Sequence, residues 1–187
     1  MHGRPITFKN MAMYIKKSLR YEERDESKRS IYLEELELTT SVNDRVHIDE
    51  SDIDHNIIKE HCWIKKGAEL VGDRSGKARG RTSVIAALHG EDINAPMTYQ
   101  GTMNTTLFLC WIKVLLLPSL SKGQVVIMDN ASIHKNIEVR ELVESVGCRL
   151  IYLPPYSANF NPIENYWAVM KKNIRKIRDQ YDNIRSN

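Results

Sequence analysis

Nothing in this sequence is long and apolar enough to cross a bilayer. The longest apolar stretch, Leu107 to Leu117, falls well short of a span and carries Lys113. Cysteine is scarce. Cys62, Cys110 and Cys148 lie far apart, show no paired metal-ligand spacing and are odd in number, which argues against a disulfide framework and for free thiols in a reducing compartment. The first twenty residues have no apolar core and carry lysines, so they do not read as a secretory signal. A cytoplasmic protein without membrane association is expected. Neither sign of charge is in excess: 27 Lys and Arg face 24 Asp and Glu, a net +3, so only clustered charge can argue for a polyanionic partner. Internal repeats and low-complexity tracts are also missing. What remains is a chain of 187 residues, 42% hydrophobic and 27% charged, the composition of one globular domain with a real core.

The informative stretch runs from Gln124 to Glu164. Four apolar residues, Val125 to Met128, lead straight into Asp129, the pattern of a strand buried on both faces. Asp129 therefore falls at the carboxyl end of a central strand, where open α/β sheets form their ligand crevice. A second apolar run, Leu150 to Leu153, stops at Pro154-Pro155, which cannot continue a ladder. Asn161-Pro162 then has the form of an N-cap followed by proline at the first helical position, placing Glu164 in the first turn of a helix. A third acid, Asp49, closes a short apolar strand, Val46 to Ile48.

Each acid also has a structural reading. Asp49 can end a strand as a turn residue, and Asp129 can make an Asx turn into a helix. Glu164 stands three residues after Asn161, the capping-box position. Two separated carboxylates near a third are also what two divalent ions need: Mg²⁺ keeps most of its waters and takes one or two carboxylates from the protein, and a pair of ions about 3.5–4 Å apart supports in-line displacement at phosphorus.

The blocks HIDES (47–51), VVIMDNASIHK (125–135) and LPPYSANFNPIENYWAVMKK (153–172) resemble the catalytic domain of bacterial insertion-sequence transposases related to the mariner group. The resemblance runs from about Tyr21 to about Lys176. It implies a ribonuclease H-like fold with a catalytic and metal-binding triad of Asp49, Asp129 and Glu164, in which Asp49 bridges two Mg²⁺ or Mn²⁺ ions while the other two each hold one. His134 sits where the family commonly has a histidine, and His134 and Asn130 are candidates for a supporting role. The family usually has Gly where this chain has Asp52, so a turn eased by Gly would here be made by Asp. The activity implied is cutting and joining of phosphodiester bonds at mobile-element ends. DNA is the implied partner, both as element ends and as target, and a homodimer the implied active complex. The family's N-terminal helix-turn-helix region finds no room here and is expected to be absent or separately encoded. An inactive remnant that binds DNA loosely is an alternative, favoured by that gap and by the short C-terminal extension. A stand-alone structure-specific nuclease is another.

The remaining sequence fits an α/β domain, a mixed sheet of about five strands flanked by helices. Residues 1–40 read as an N-terminal remnant with a linker helix, amphipathic from Tyr21 to Leu38, and residues 41–187 as the catalytic domain. The first strand is Val46 to Glu50, a second is expected at His61 to Lys66, and Val84 to Leu88 and Pro96 to Tyr99 continue the sheet. Thr105 to Leu117 reads as a buried crossover helix, and Asn136 to Ser145 as an amphipathic helix closed by Gly147. On the last helix, Tyr166 and Trp167 join Ile163, Met170, Ile174 and Ile177 in a core stripe. Two basic clusters are candidates for holding the DNA backbone: a glycine-rich loop with Arg74, Lys77, Arg79 and Arg81, and the helix flank with Lys171, Lys172 and Arg175.

Overall fold

The computed structural model describes residues 24–54 and 81–185. The strand expected at 61–66 and the basic positions Arg74, Lys77 and Arg79 lie outside these residues. Three strands form an antiparallel meander: β1 (Arg45–Asp54), β2 (Arg81–His89) and β3 (Asp92–Gln100). Two short strands, β4 (Val125–Met128) and β5 (Arg149–Tyr152), add in parallel on the other side of β1. The order across the sheet is β3-β2-β1-β4-β5, with β1 at the seam between the antiparallel and parallel halves. This is a ribonuclease H-like sheet, as expected.

β1 is longer than the sequence suggests. It continues to Asp54 because β2 pairs with it along its whole length, with Asp49 opposite Ala86 and Asp52 opposite Ser83. Asp49 is therefore interior to a strand and does not end one. Asp52 makes no turn; it accepts a hydrogen bond from the Ser83 hydroxyl at 2.7 Å and pairs with Arg81 at 3.1 Å. Arg81 accordingly opens β2.

Side chains alternate between the two faces of each strand, and the core divides in the same way. On one face Val46, Ile48, Ile85, Val126 and Met128 pack against a helical run beginning with α2 (Thr105–Trp111) and against α4 (Ile137–Ser145). That run passes through a π-helical stretch, Ile112–Leu116, into the short α3 (Leu117–Ser119). It is buried on one side only: Phe108, Trp111, Ile112 and Leu116 are covered, whereas Val114 is exposed. The Trp111 indole N–H ties it to the sheet by donating to the Ala95 carbonyl at 2.8 Å.

The opposite face carries two helices. α1 (Glu26–Thr39) sets Tyr32 and Leu36 on Val125, Ile127 and Ile151, while α5 (Ile163–Arg185) sets Ile163 and Trp167 on Val84, Ala86 and Leu88. Tyr166 and Ile177, expected in the core, are exposed, as is Val169; a helix laid across one sheet buries only one stripe. Among the described residues no helix is long and apolar enough to cross a membrane. Cys110 and Cys148 are free thiols, as expected.

α4 ends in a Schellman motif, in which the Gly147 N–H reaches Glu144 and the Cys148 N–H reaches Val143. Gly147 has φ +78°, and an added Cβ would lie 2.8 Å from Lys122 Cγ. Gly147→Ala should therefore destabilise the protein by about 1–2 kcal/mol, read as a lower denaturation midpoint at unchanged slope.

Candidate active site

The parallel pairing of β1 with β4 places two of the acids. His47 pairs with Ile127, and two more residues along each strand set Asp49 level with Asp129, on neighbouring strands about 4.8 Å apart. β4 stops at Met128, so Asp129 stands just past its carboxyl end. The chain returns through β5, and Pro154 and Pro155 end that strand. The loop closes on Asn161, and Glu164 follows in the first turn of α5. Asp49, Asp129 and Glu164 thus come from three separate elements to line one cavity of about 350 Å³, together with Asn130 and the loop 153–158.

The capping reading of Glu164 fails on geometry. The Asn161 N–H donates to the Ala158 carbonyl at 2.8 Å, so it does not serve the Glu164 carboxylate. The Asn161 side chain does not cap either. Its amide nitrogen donates to the Ile48 carbonyl at 3.2 Å, and its oxygen is buried with no hydrogen-bond partner. Asn161 instead ties the start of α5 to the strand residue preceding Asp49.

The three acids are held unequally. Burial, then the facing charge of Glu164, push Asp49 up to about 7, although the Trp167 indole N–H donates to its Oδ2 at 3.0 Å. Burial also works against the charge of Asp129, but the His134 ring and the Ala131 N–H at 3.0 Å outweigh it and hold this carboxyl below its usual range. For His134 burial favours the neutral ring. Asp129, at 2.5 Å from Nδ1, and Glu50, at 3.7 Å from Nε2, overcome that preference and raise it to about 9. At 3.7 Å the Glu50 contact is one of charge, not a hydrogen bond.

Among the described residues no three His, Cys, Asp or Glu side chains stand as a ready-made metal-binding group. Asp49 turns one oxygen to Trp167 and Asp129 turns one to His134. The donor chemistry nonetheless fits a hard divalent cation. All three candidate ligands are carboxylates, and the raised Asp49 shows a cluster whose negative charge is only partly compensated.

The other candidates are spread out. On α5, Lys171 and Arg175 follow Glu164 by seven and eleven residues, within about 20° of it around the helix, and Lys172 lies about 80° away. Arg81 is engaged with Asp52 at 3.1 Å. Three contributors were not anticipated. Trp167, read as core only, is 2% exposed yet reaches Asp49; its position three residues after Glu164 was the available signal. Glu50 follows Asp49 directly and so points to the other face. Arg29 of α1 donates to Ser157 Oγ at 2.6 Å and Asn159 Oδ1 at 3.2 Å, and its guanidinium lies 3.8 Å from the Phe160 ring centroid. It clamps the loop leading to Glu164, a contact across 128 residues of sequence.

The family model of the DDE superfamily endonucleases matches residues 44–186. No curated protein matches the chain. Among solved structures it is similar to the pre-cleavage Mos1 transpososome, at 15% identity and a TM-score of 0.66 over 91% of this chain and 60% of that one. The mariner Mos1 paired-end complex with Mg gives 14% and 0.66 over 87% and 56%. The catalytic domain of Mos1 mariner transposase gives 12% and 0.57 over 87% and 84%. At such identities the likeness carries the fold. The chain spans about three fifths of the length of the chains in the Mos1 complexes.

Because Asp49 titrates at 3.8 when unfolded and at about 7 when folded, its ionisation opposes folding as pH rises through that window. The opposition is absent below the lower value and complete above the upper one. Without divalent metal, Asp49→Asn should therefore be more stable than the parent at pH 8, by up to about 4 kcal/mol. The difference should shrink toward zero near pH 4. Denaturant titrations in EDTA at the two pH values check this.

Proposed function

We propose, because this chain belongs to the DDE superfamily of endonucleases, that it cuts and joins DNA phosphodiester bonds at the ends of a mobile element. The observation that carries this reading is the convergence of Asp49, Asp129 and Glu164 on one cavity from a central strand, a strand end and a helix start. In this reading Asp49, Asp129 and Glu164 would hold two Mg²⁺ or Mn²⁺ ions, with Asp49 shared between them and Asp129 and Glu164 each serving one. The ions would supply activation of the attacking oxygen and charge neutralisation at the leaving one. The residues of the chain orient the site. Trp167 fixes one oxygen of Asp49 and His134 one oxygen of Asp129, which leaves the other oxygen of each acid for a cation.

The substrate is duplex DNA. Lys171 and Arg175 continue from Glu164 along α5, and with Lys172 they would take the phosphate backbone, a contact that carries no sequence information. Arg74, Lys77, Arg79 and Arg81 belong to the same proposal as a second basic segment, with Arg81 at the start of β2. So do the remaining assignments: residues 41–187 as the catalytic unit and 1–40 as the segment leading into it, a homodimer on paired ends, and a separately encoded helix-turn-helix part that recognises them.

With Mn²⁺ and a pre-cleaved element end, the chain should nick or join DNA. Glu164→Gln should reduce the rate by on the order of 10³-fold without lowering the denaturation midpoint, since Glu164 caps nothing and its charge repels that of Asp49. Gel analysis of labelled ends reads the activity. Activity that survives Glu164→Gln, or an inactive parent chain with both metals, overturns the proposal.

A further inference from the structure

Behind the acid-lined cavity, on the opposite face of the sheet, a second cavity of about 330 Å³ is lined by Glu50, Tyr99, Met103, Ile133 and His134, and also by Asp49 and Asp129. Glu50 shares the face of Val46 and Ile48 and points away from the side of Asp49. On that face the Tyr99 hydroxyl donates to Glu50 Oε2. The other Glu50 oxygen faces His134 Nε2 at 3.7 Å, and His134 Nδ1 meets Asp129 Oδ1 at 2.5 Å. A line of polar groups thus runs from β3 through β1 and around the end of β4 to Asp129.

The imidazole at its centre is closely held. It is 4% exposed and its ring centroid lies 4.5 Å from that of Phe108. Its backbone is fixed as well: the Tyr152 hydroxyl donates to the His134 carbonyl at 2.6 Å, and the His134 N–H donates to Ala131 at 3.1 Å. Only one orientation of this ring gives a nitrogen to each carboxylate; flipped, it would present carbon to both. A histidine that merely filled the core would not need acids at both ends.

We propose that Glu50 and Tyr99 are positioning residues. They fix the His134 ring, and the ring fixes Asp129 Oδ1, so that the other Asp129 oxygen is aimed for a divalent cation. The inference rests on the two-ion reading above. It has a physical motive, because Asp129 stands beyond the end of β4 with half of its side chain exposed, where the Ala131 N–H holds the same oxygen but leaves the carboxylate room to turn about that bond. Outer partners of this kind commonly change metal affinity by about 10–100-fold when removed.

Mn²⁺ titration of the purified chain, followed by the electron paramagnetic resonance signal of free Mn²⁺, tests it without reference to activity. Glu50→Leu removes both acceptors and should weaken binding about tenfold. Glu50→Gln, whose oxygen still accepts from Tyr99 but which no longer sets a charge against the ring, should recover only part of the loss. In a His134→Asn background, where an amide still donates to Asp129 but no longer spans to Glu50, Glu50→Leu should have no effect. Tyr99→Phe, which keeps the packing, should weaken binding about threefold, and it decides the matter if Glu50→Leu fails to fold. Parent-like affinity in Glu50→Leu or Tyr99→Phe overturns the relay, as does an equal loss in the His134→Asn background. A parent chain that binds no Mn²⁺ overturns the two-ion reading together with the relay.

Discussion

Everything about the site depends on the parallel register between β1 and β4. β1 is held on one side by the long antiparallel pairing with β2 and on the other by only three residues of parallel pairing, Arg45 to His47 with Val125 to Ile127. That short ladder fixes how far Asp129 projects relative to Asp49. A slip of one residue would turn Asp49 to the opposite face and leave Glu50 in its place. The apolar residues on both faces of β4 hold the register, because Val126 and Met128 are needed in one core and Val125 and Ile127 in the other. The packing of a four-residue strand from both sides therefore sets where the carboxylates meet.

The same alternation accounts for how charge is distributed. Neighbouring acids in β1 go to opposite faces, Asp49 toward Trp167 and Glu50 toward Tyr99. Asp129 lies at the edge between the two cavities and lines both. Five carboxylates, Asp49, Glu50, Asp52, Asp129 and Glu164, gather within two cavities with Arg81 and His134 among them, so several of their hydrogen bonds fall to neutral donors such as the Trp167 indole, the Tyr99 hydroxyl and a backbone N–H.

Much of this was legible in the sequence, and the limits have physical reasons. β4 and α4 announce themselves because each has one dominant periodicity and clear ends: four apolar residues before an acid, and an apolar stripe between Asn136, which accepts from the Glu138 N–H, and Gly147. The sequence shows only the first half of β1, because the second, Ser51 to Asp54, is polar except for Ile53 and stays in the sheet through pairing with β2, a partner that local composition does not reveal. Arg81, next to a glycine-rich basic run, looks like loop in the sequence for the same reason. Tyr166 and Ile177 fit a helical stripe in the sequence, but the width of the stripe that is buried is set by the sheet beneath. Asn161 has the ideal residue type for a cap, yet the Ile48 carbonyl claims its amide across 113 positions. Arg29 was invisible for a similar reason, since nothing near it in sequence asks for a guanidinium over Phe160.

Among the described residues β3 forms one margin of the sheet. Opposite Ala86 alone it places two residues, Ala95 and Pro96, a bulge in which Ala95 adopts φ +50°. Pro96 has no N–H to offer, and the Ala95 carbonyl is occupied by Trp111. A long strand at an open margin is ordinarily a template on which another chain can add itself and begin an aggregate. Here the kink and the missing donor interrupt that template near its middle, leaving stretches of only a few residues on either side. A second polypeptide laid along this margin would lose its hydrogen-bonding partner where a growing ladder most needs continuity. The bulge thus gives the domain a built-in resistance to self-association along its exposed flank, separate from anything it does at the acid-lined cavity.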